Sequence, residues 1–295
     1  MDRLNQHAPA TSFAELPAKH GREALRIEYQ WLNADNAITT DETRAPVVVF
    51  LHEGLGSIAM WKDWPKKLCE QLGFRGLVYS RPGYGASTPR EAGVKWPVDF
   101  MYQQAHDVLP ALLDTIGIEP AERARMWVIG HSDGGSIALL YAAAFPDALA
   151  GVVTIAPHVF VEDVSVDAIA GTTVQYTRGD LRSKLSRYHA DVDSAFYGWN
   201  DIWLDPEFRH WNITNLLSSI QCPLLAVQGD ADEYATMAQI DTIASHVSQA
   251  RLTKLPDCGH SPHRQRPDML DAAIVAFIKS ETSGRPETPG TVLKT

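Results

Sequence analysis

The chain alternates short, continuously apolar runs with longer stretches in which apolar residues recur at helical spacing. Five runs read as buried strands: residues 47–51 (Val-Val-Val-Phe-Leu), 76–80 (Gly-Leu-Val-Tyr-Ser), 126–129, 151–155 and 223–228. They are short, apolar throughout and bounded by turn residues, as expected of strands covered on both faces. A sixth, 251–255 (Arg-Leu-Thr-Lys-Leu), is more polar and is expected near an edge. Between them lie helix-length segments at 61–72, 98–117, 133–144 and 236–247, each long enough for a right-handed crossover. Pro110 falls inside the second and predicts a kink there. The pattern predicts an α/β fold, a mostly parallel, doubly wound sheet with helices on both faces.

The alternation breaks at 157–215, about sixty residues without a buried-strand run and far too many for a plain connection. This stretch is expected to be an inserted, mainly helical cap on a core formed by 1–156 and 216–279. Residues 280–295, rich in Thr, Pro, Gly and Ser, are expected to form a mobile tail. The cap carries Tyr188, Phe196, Tyr197, Trp199, Trp203, Phe208 and Trp211. These aromatics either form the cap's own core or, with Trp199, Trp203 and Trp211 as the candidates, line an apolar substrate pocket.

Composition narrows the partners. A chain of 295 residues can bury roughly 75% of its unfolded surface and needs no staple to fold. Its net charge of -10, with no basic cluster, makes nucleic acid and anionic membranes poor partners. The three cysteines show no C-x-x-C spacing, so reduced thiols and a cytoplasmic setting are expected. Residues 1–18 lack the apolar core of a secretory signal, and no apolar run of about 18 residues is available to cross a membrane. No histidine pairs with Cys or Asp at a metal-ligand spacing, so neither a metal nor a cofactor is expected.

The chemistry concentrates at the ends of the predicted strands. Gly130-His131-Ser132-Asp133-Gly134 is a G-x-S-x-G sequence with a buried strand before it and a helix after it. Such a turn is so tight that only small flanking residues permit it, and the helix behind it offers N–H groups to an anion. A serine hydroxyl is a weak nucleophile and needs a base that is itself oriented by a carboxylate. Both follow in the chain: strand 223–228 runs into Gly229-Asp230-Ala231-Asp232, and strand 251–255 into Pro256-Asp257-Cys258-Gly259-His260. Open α/β sheets bind their ligands at these carboxyl ends.

With these residues in place, the chain resembles the α/β-hydrolase superfamily from about Val47 to Ile278, the cap excepted. His52-Glu53-Gly54-Leu55-Gly56 resembles that family's H-G-x-P-G loop, and Arg81-Pro82-Gly83-Tyr84-Gly85-Ala86-Ser87 lies in a stretch similar to its G-x-G-x-S loop. Gly229 and Asp232 resemble its G-x-x-D motif, and Gly259-His260-Ser261-Pro262 its G-H-x-P motif. Glu53 and Leu55 depart from it, standing where the family usually has Gly and Pro. The resemblance implies Ser132 as nucleophile, Asp232 rather than Asp230 as acid and His260 as base. The oxyanion donors would be the backbone N–H groups of Gly54 and Asp133. A serine at the elbow argues against epoxide hydrolases and dehalogenases, which use Asp there, and implies a small acyl substrate. A carboxylic ester or lactone hydrolase is the leading expectation. A carbon–carbon hydrolase of aromatic ring-cleavage products comes next, and a small-molecule-binding protein that keeps the fold is the reading of another class.

Other residues have assigned expectations. His158, just after a strand, is a candidate pocket residue, His52 an organiser of the oxyanion loop, His131 structural and His263 a surface residue. Cys258 reads as a buried filler. Arg178, Arg182, Lys184 and Arg187 could serve an anionic substrate but read first as a solvated helix face beside Asp180.

Overall fold

The computed structural model describes residues 10–19, 23–33 and 44–283. Eight strands form one sheet: β1 (Ser12–Leu16), β2 (Leu25–Leu32), β3 (Val47–Leu51), β4 (Arg75–Tyr79), β5 (Trp127–His131), β6 (Gly151–Ile155), β7 (Leu224–Gly229) and β8 (Ala250–Leu255). Their spatial order is β1-β2-β4-β3-β5-β6-β7-β8. From β4 to β8 every pairing is parallel, while β1 and β2 add an antiparallel edge. The six strands read from the sequence appear within two residues of their expected bounds. The polar one, β8, is indeed the edge.

Seven helices matter for the site: α1 (Trp64–Leu72), α2 (Leu109–Thr115), α3 (Asp133–Ala144), α4 (Asp163–Arg178), α5 (Val192–Trp203), α6 (Ala238–His246) and α7 (Pro267–Ser283). Alternate strand residues feed two cores. Val47, Val49 and Leu51 join α2 and α3 on one face, and Val48 and Phe50 join Leu68 of α1 and Leu270, Ile274 and Phe277 of α7 on the other. The sheet is therefore wound on both sides. The expected disturbance at Pro110 takes the form of a π-helical turn, Gln104–Val108, immediately before α2. A wider turn there absorbs the missing N–H and the clash that proline would cause with the preceding turn.

The insertion between β6 and β7 is helical, with α4, α5 and short turns at Leu181–Leu185, Phe208–His210 and Thr214–Leu217. The expected tail needs correction at its start, because α7 runs through residues 280–283; residues 284–295 lie outside the described residues. Among the described residues no helix is long and apolar enough to cross a membrane.

Helix α3 is buried from Asp133 to Ala142 and meets the sheet through glycines. A Cβ on Gly134 would lie 2.0 Å from the Leu51 carbonyl oxygen, and one on Gly130 would lie 2.1 Å from the Gly134 oxygen. Gly171, on the exposed side of α4, would meet nothing within 4 Å. Two Gly→Ala substitutions should therefore act in opposite directions in urea unfolding. Gly134→Ala is expected to destabilise by about 3 kcal/mol or more, and Gly171→Ala to stabilise by about 0.5–1 kcal/mol. A neutral Gly134→Ala would show that α3 does not need this close approach.

Candidate active site

Ser132 joins β5 to α3 with φ 54° and ψ -122°, a conformation that costs a non-glycine residue about 1–3 kcal/mol. The surroundings enforce it. Its N–H donates to the Ile155 carbonyl at 2.9 Å, and its own carbonyl accepts from the N–H groups of Gly135 and Ser136 at 2.8 and 3.1 Å. The result lifts the hydroxyl above the carboxyl ends of the strands, where Oγ lies 2.9 Å from Nε2 of His260.

His260 arrives from the loop after β8, and Asp232 from the loop after β7. Nδ1 of His260 is 2.8 and 3.0 Å from the two carboxylate oxygens of Asp232. Burial pushes the Asp232 carboxyl up, but the hydrogen bond and charge of His260, with the Tyr234 N–H at 2.9 Å, outweigh it and hold the group below its ordinary value. An ionised Asp232 keeps the ring proton on Nδ1 and leaves Nε2 free to accept from the serine. Asp230, by contrast, is exposed, and its N–H extends the pairing of β7 with β8 by donating to the Leu255 carbonyl at 3.0 Å.

Behind His260 stands His131, whose Nε2–H donates to the His260 carbonyl at 2.7 Å, in keeping with its expected structural part. His52 also behaves as expected: it accepts from the Arg81 N–H and donates to the Glu53 carbonyl, tying down the loop that carries Gly54. His263 contradicts the expectation of a surface residue. The helical turn Pro262–Gln265 carries it inward, where it is buried against Trp61, Trp64 and His131. That burial pulls its imidazole down to about 3.

Gly54 and Asp133 face Ser132 and His260 across a cavity of about 150 Å³. Its walls include Leu55, His158, Ile169, Trp199, Trp203 and Tyr234. His158 packs edge-on against Trp203, and burial brings its imidazole down to about 3, so it is neutral. Trp199 lies directly on Gly54, where a Cβ would come within 2.2 Å of the indole. Trp211 is a correction: it does not line the cavity but stacks on Phe208 inside the cap, which itself packs on Trp203. The cap aromatics thus divide between the two roles. Ile169 on α4 and Tyr234, two residues after Asp232, were missed. The position of Tyr234 was a usable signal, whereas nothing local marks Ile169.

Among the described residues no Lys or Arg lines the cavity, whereas the carboxylate of Glu53 does. Arg182 pairs with Asp193 and Lys184 with Asp180, all largely exposed, so these cations belong to a solvated face. Cys258 is buried, as are Cys69 and Cys222.

Comparison with known proteins places the chain in context. Residues 48–273 match the model of the Alpha/beta hydrolase family. The chain is 26% identical over 226 residues to "Serine hydrolase BPHL" of Homo sapiens, covering 72% of each protein. In three dimensions it is similar to a carboxylesterase structure from the ammonia-oxidizing thaumarchaeon Nitrososphaera gargenis. That match has a TM-score of 0.71 and 19% identity, and covers 92% of this chain and 99% of the other. It is also similar to the enol-lactonase from Burkholderia xenovorans LB400, with a TM-score of 0.66 and 18% identity over 91% of this chain and all of that one. With the family pattern running through more than half of its length, on a sheet of this order, the chain belongs to the alpha/beta hydrolase family.

Proposed function

We propose that this hydrolase cleaves small, uncharged carboxylic esters or lactones through an acyl-enzyme on Ser132. The observation that carries the reading is the continuous hydrogen-bond chain from Ser132 Oγ through His260 to Asp232, opening on a cavity lined by apolar side chains, the neutral His158 and the carboxylate of Glu53. In the mechanism, Ser132 attacks the acyl carbon as His260 Nε2 takes its proton. Asp232 stabilises the imidazolium, which then protonates the leaving alcohol. Water, activated by His260, releases the acid in the second half. The tetrahedral oxyanion is held by the N–H groups of Gly54 and Asp133 at the start of α3.

The size and charge of the cavity argue for the substrate class. At about 150 Å³ it is below the range of about 300–1,000 Å³ typical of drug-sized ligands, which favours a short acyl group. An anionic ring-cleavage product would want a cation, which none of the described wall residues supplies, and would meet the carboxylate of Glu53, so the carbon–carbon hydrolase reading is the weaker one. The serine hydrolase, carboxylesterase and enol-lactonase likenesses support ester or lactone chemistry. Three buried cysteines with no C-x-x-C spacing fit a cytoplasmic setting.

Burst release of phenol from a short aryl ester tests the acyl-enzyme directly, and a protein that only binds small molecules would show none. Ser132→Ala should lower kcat by about 10⁴- to 10⁶-fold with the fold intact. A variant keeping a tenth of the activity would exclude Ser132 as nucleophile.

Asp232→Asn should cost orders of magnitude in kcat, because the histidine tautomer is lost, whereas Asp230→Asn should stay within about tenfold. The opposite ranking would move the acid role to Asp230.

Trp199→Ala opens the cavity above Gly54 and should shift preference toward bulkier acyl groups. Trp211→Ala should leave that preference alone and cost about 3–5 kcal/mol of stability, as a buried aromatic does when truncated. Paired assays on acetyl and benzoyl esters, with thermal melts, separate the two. Equal preference in both variants would refute the division of the cap aromatics.

A further inference from the structure

We propose that Arg81 is a positioning residue for the oxyanion hole, polarising the peptide that ends in the Gly54 N–H and balancing the carboxylate of Asp133. The proposal rests on the preceding reading of Gly54 and Asp133 as the two donors. Arg81 is 1% exposed and does not line the cavity, so it acts through its neighbours.

The hydrogen bonds around Arg81 converge on a single peptide unit. Nη2 of Arg81 donates to the Glu53 carbonyl at 2.9 Å. The Arg81 N–H donates to His52 Nε2 at 2.9 Å, so the proton of that neutral ring sits on Nδ1 and is donated to the same Glu53 carbonyl at 2.7 Å. The Glu53 carbonyl and the Gly54 N–H are the two ends of one resonant peptide. The Gly56 N–H donates to the same oxygen at 3.0 Å, and electron density drawn there by three donors, one of them cationic, leaves the Gly54 N–H more positive and a better partner for an anion.

The second donor has the opposite difficulty. Asp133 offers its N–H to the oxyanion, yet its side chain is a fully buried carboxyl on the same residue. Burial pushes that carboxyl up, and the guanidinium of Arg81 and the Trp203 N–H oppose the shift. Arg81 Nη2 lies 3.5 Å from Asp133 Oδ2, and Trp203 Nε1–H donates to Oδ1 at 3.1 Å. A charge on Asp133 would repel the developing oxyanion, and the guanidinium cancels it at close range, where the interior screens little. The ring of Tyr84, 4.8 Å from the guanidinium carbon, helps hold the cation in place.

The rate at which a small alkyl fluorophosphonate modifies Ser132 tests this without knowledge of the acyl preference. Ser132 Oγ bonds to phosphorus, fluoride leaves, the serine proton passes to His260, and the phosphoryl oxygen takes the oxyanion position. The rate and the melting temperature are compared for wild type, Arg81→Lys, Arg81→Met and the double variant Arg81→Met, Asp133→Asn. Arg81→Met is expected to react about ten- to a hundredfold more slowly, below the loss of about a hundred- to a thousandfold typical of deleting a donor outright. Arg81→Lys, which keeps the charge, should recover most of the rate. The double variant buries no unpaired charge, and is expected to regain stability without regaining rate. With a short aryl ester the loss should fall on kcat, with KM within about threefold.

A double variant that reacts as fast as wild type would overturn the proposal, leaving Arg81 only a counter-ion to Asp133. So would an Arg81→Met protein of undiminished rate. A folded wild type that does not react at Ser132 would overturn the acyl-enzyme reading and this proposal with it.

Discussion

The contact on which the site depends is the approach of α3 to the sheet at Gly130 and Gly134, where a side chain would sit about 2 Å from backbone oxygen. No other residue lets the first turn of a buried helix come so near to the strands behind it. The closeness leaves the intervening Ser132 only a left-handed backbone, and that backbone turns its hydroxyl outward. The strain is sustained by a helix buried along most of its length, so the cost is spread over many apolar contacts. His260 and Asp232 then need only reach a hydroxyl whose position is already set.

Much of this was legible in the sequence, for a physical reason. Strands covered on both faces must be apolar throughout, so β3 to β7 stand out, and the residues just after them stand where an open sheet gathers its chemistry. Strands β1 and β2 were not legible. In β2 only Ile27 and Leu32 are buried, and half-covered residues leave no run or clean alternation to read. Helix α7 was a readable omission, since Leu270, Ile274, Phe277 and Ile278 recur at helical spacing behind Pro267. The polar composition after Ser280 obscured its last turn.

The site divides in the same way. Ser132, Asp232 and His260 belong to loops tied to strand ends, so chain order was enough to find them. The walls of the cavity come from the cap, whose placement depends on contacts distant in sequence. Trp199, Trp203 and Trp211 look alike in the sequence, yet one covers Gly54, one holds Asp133 and one stacks inside the cap. His263 misled because a residue in the loop three positions past His260 suggests the surface, whereas the turn beginning at Pro262 faces Trp61 and Trp64.

Trp199 on Gly54 is one of the pairs of positions at which the cap meets the core, and the tightest at the cavity. A side chain at 54 has room only in a protein whose cap carries something smaller at 199, so the two positions are not free to vary separately. A cap transplanted from another hydrolase would have to be matched to the loop after β3 before any question of substrate arose. Exchange of caps between such enzymes, by recombination or by design, is constrained first by this indole and the missing methyl beneath it.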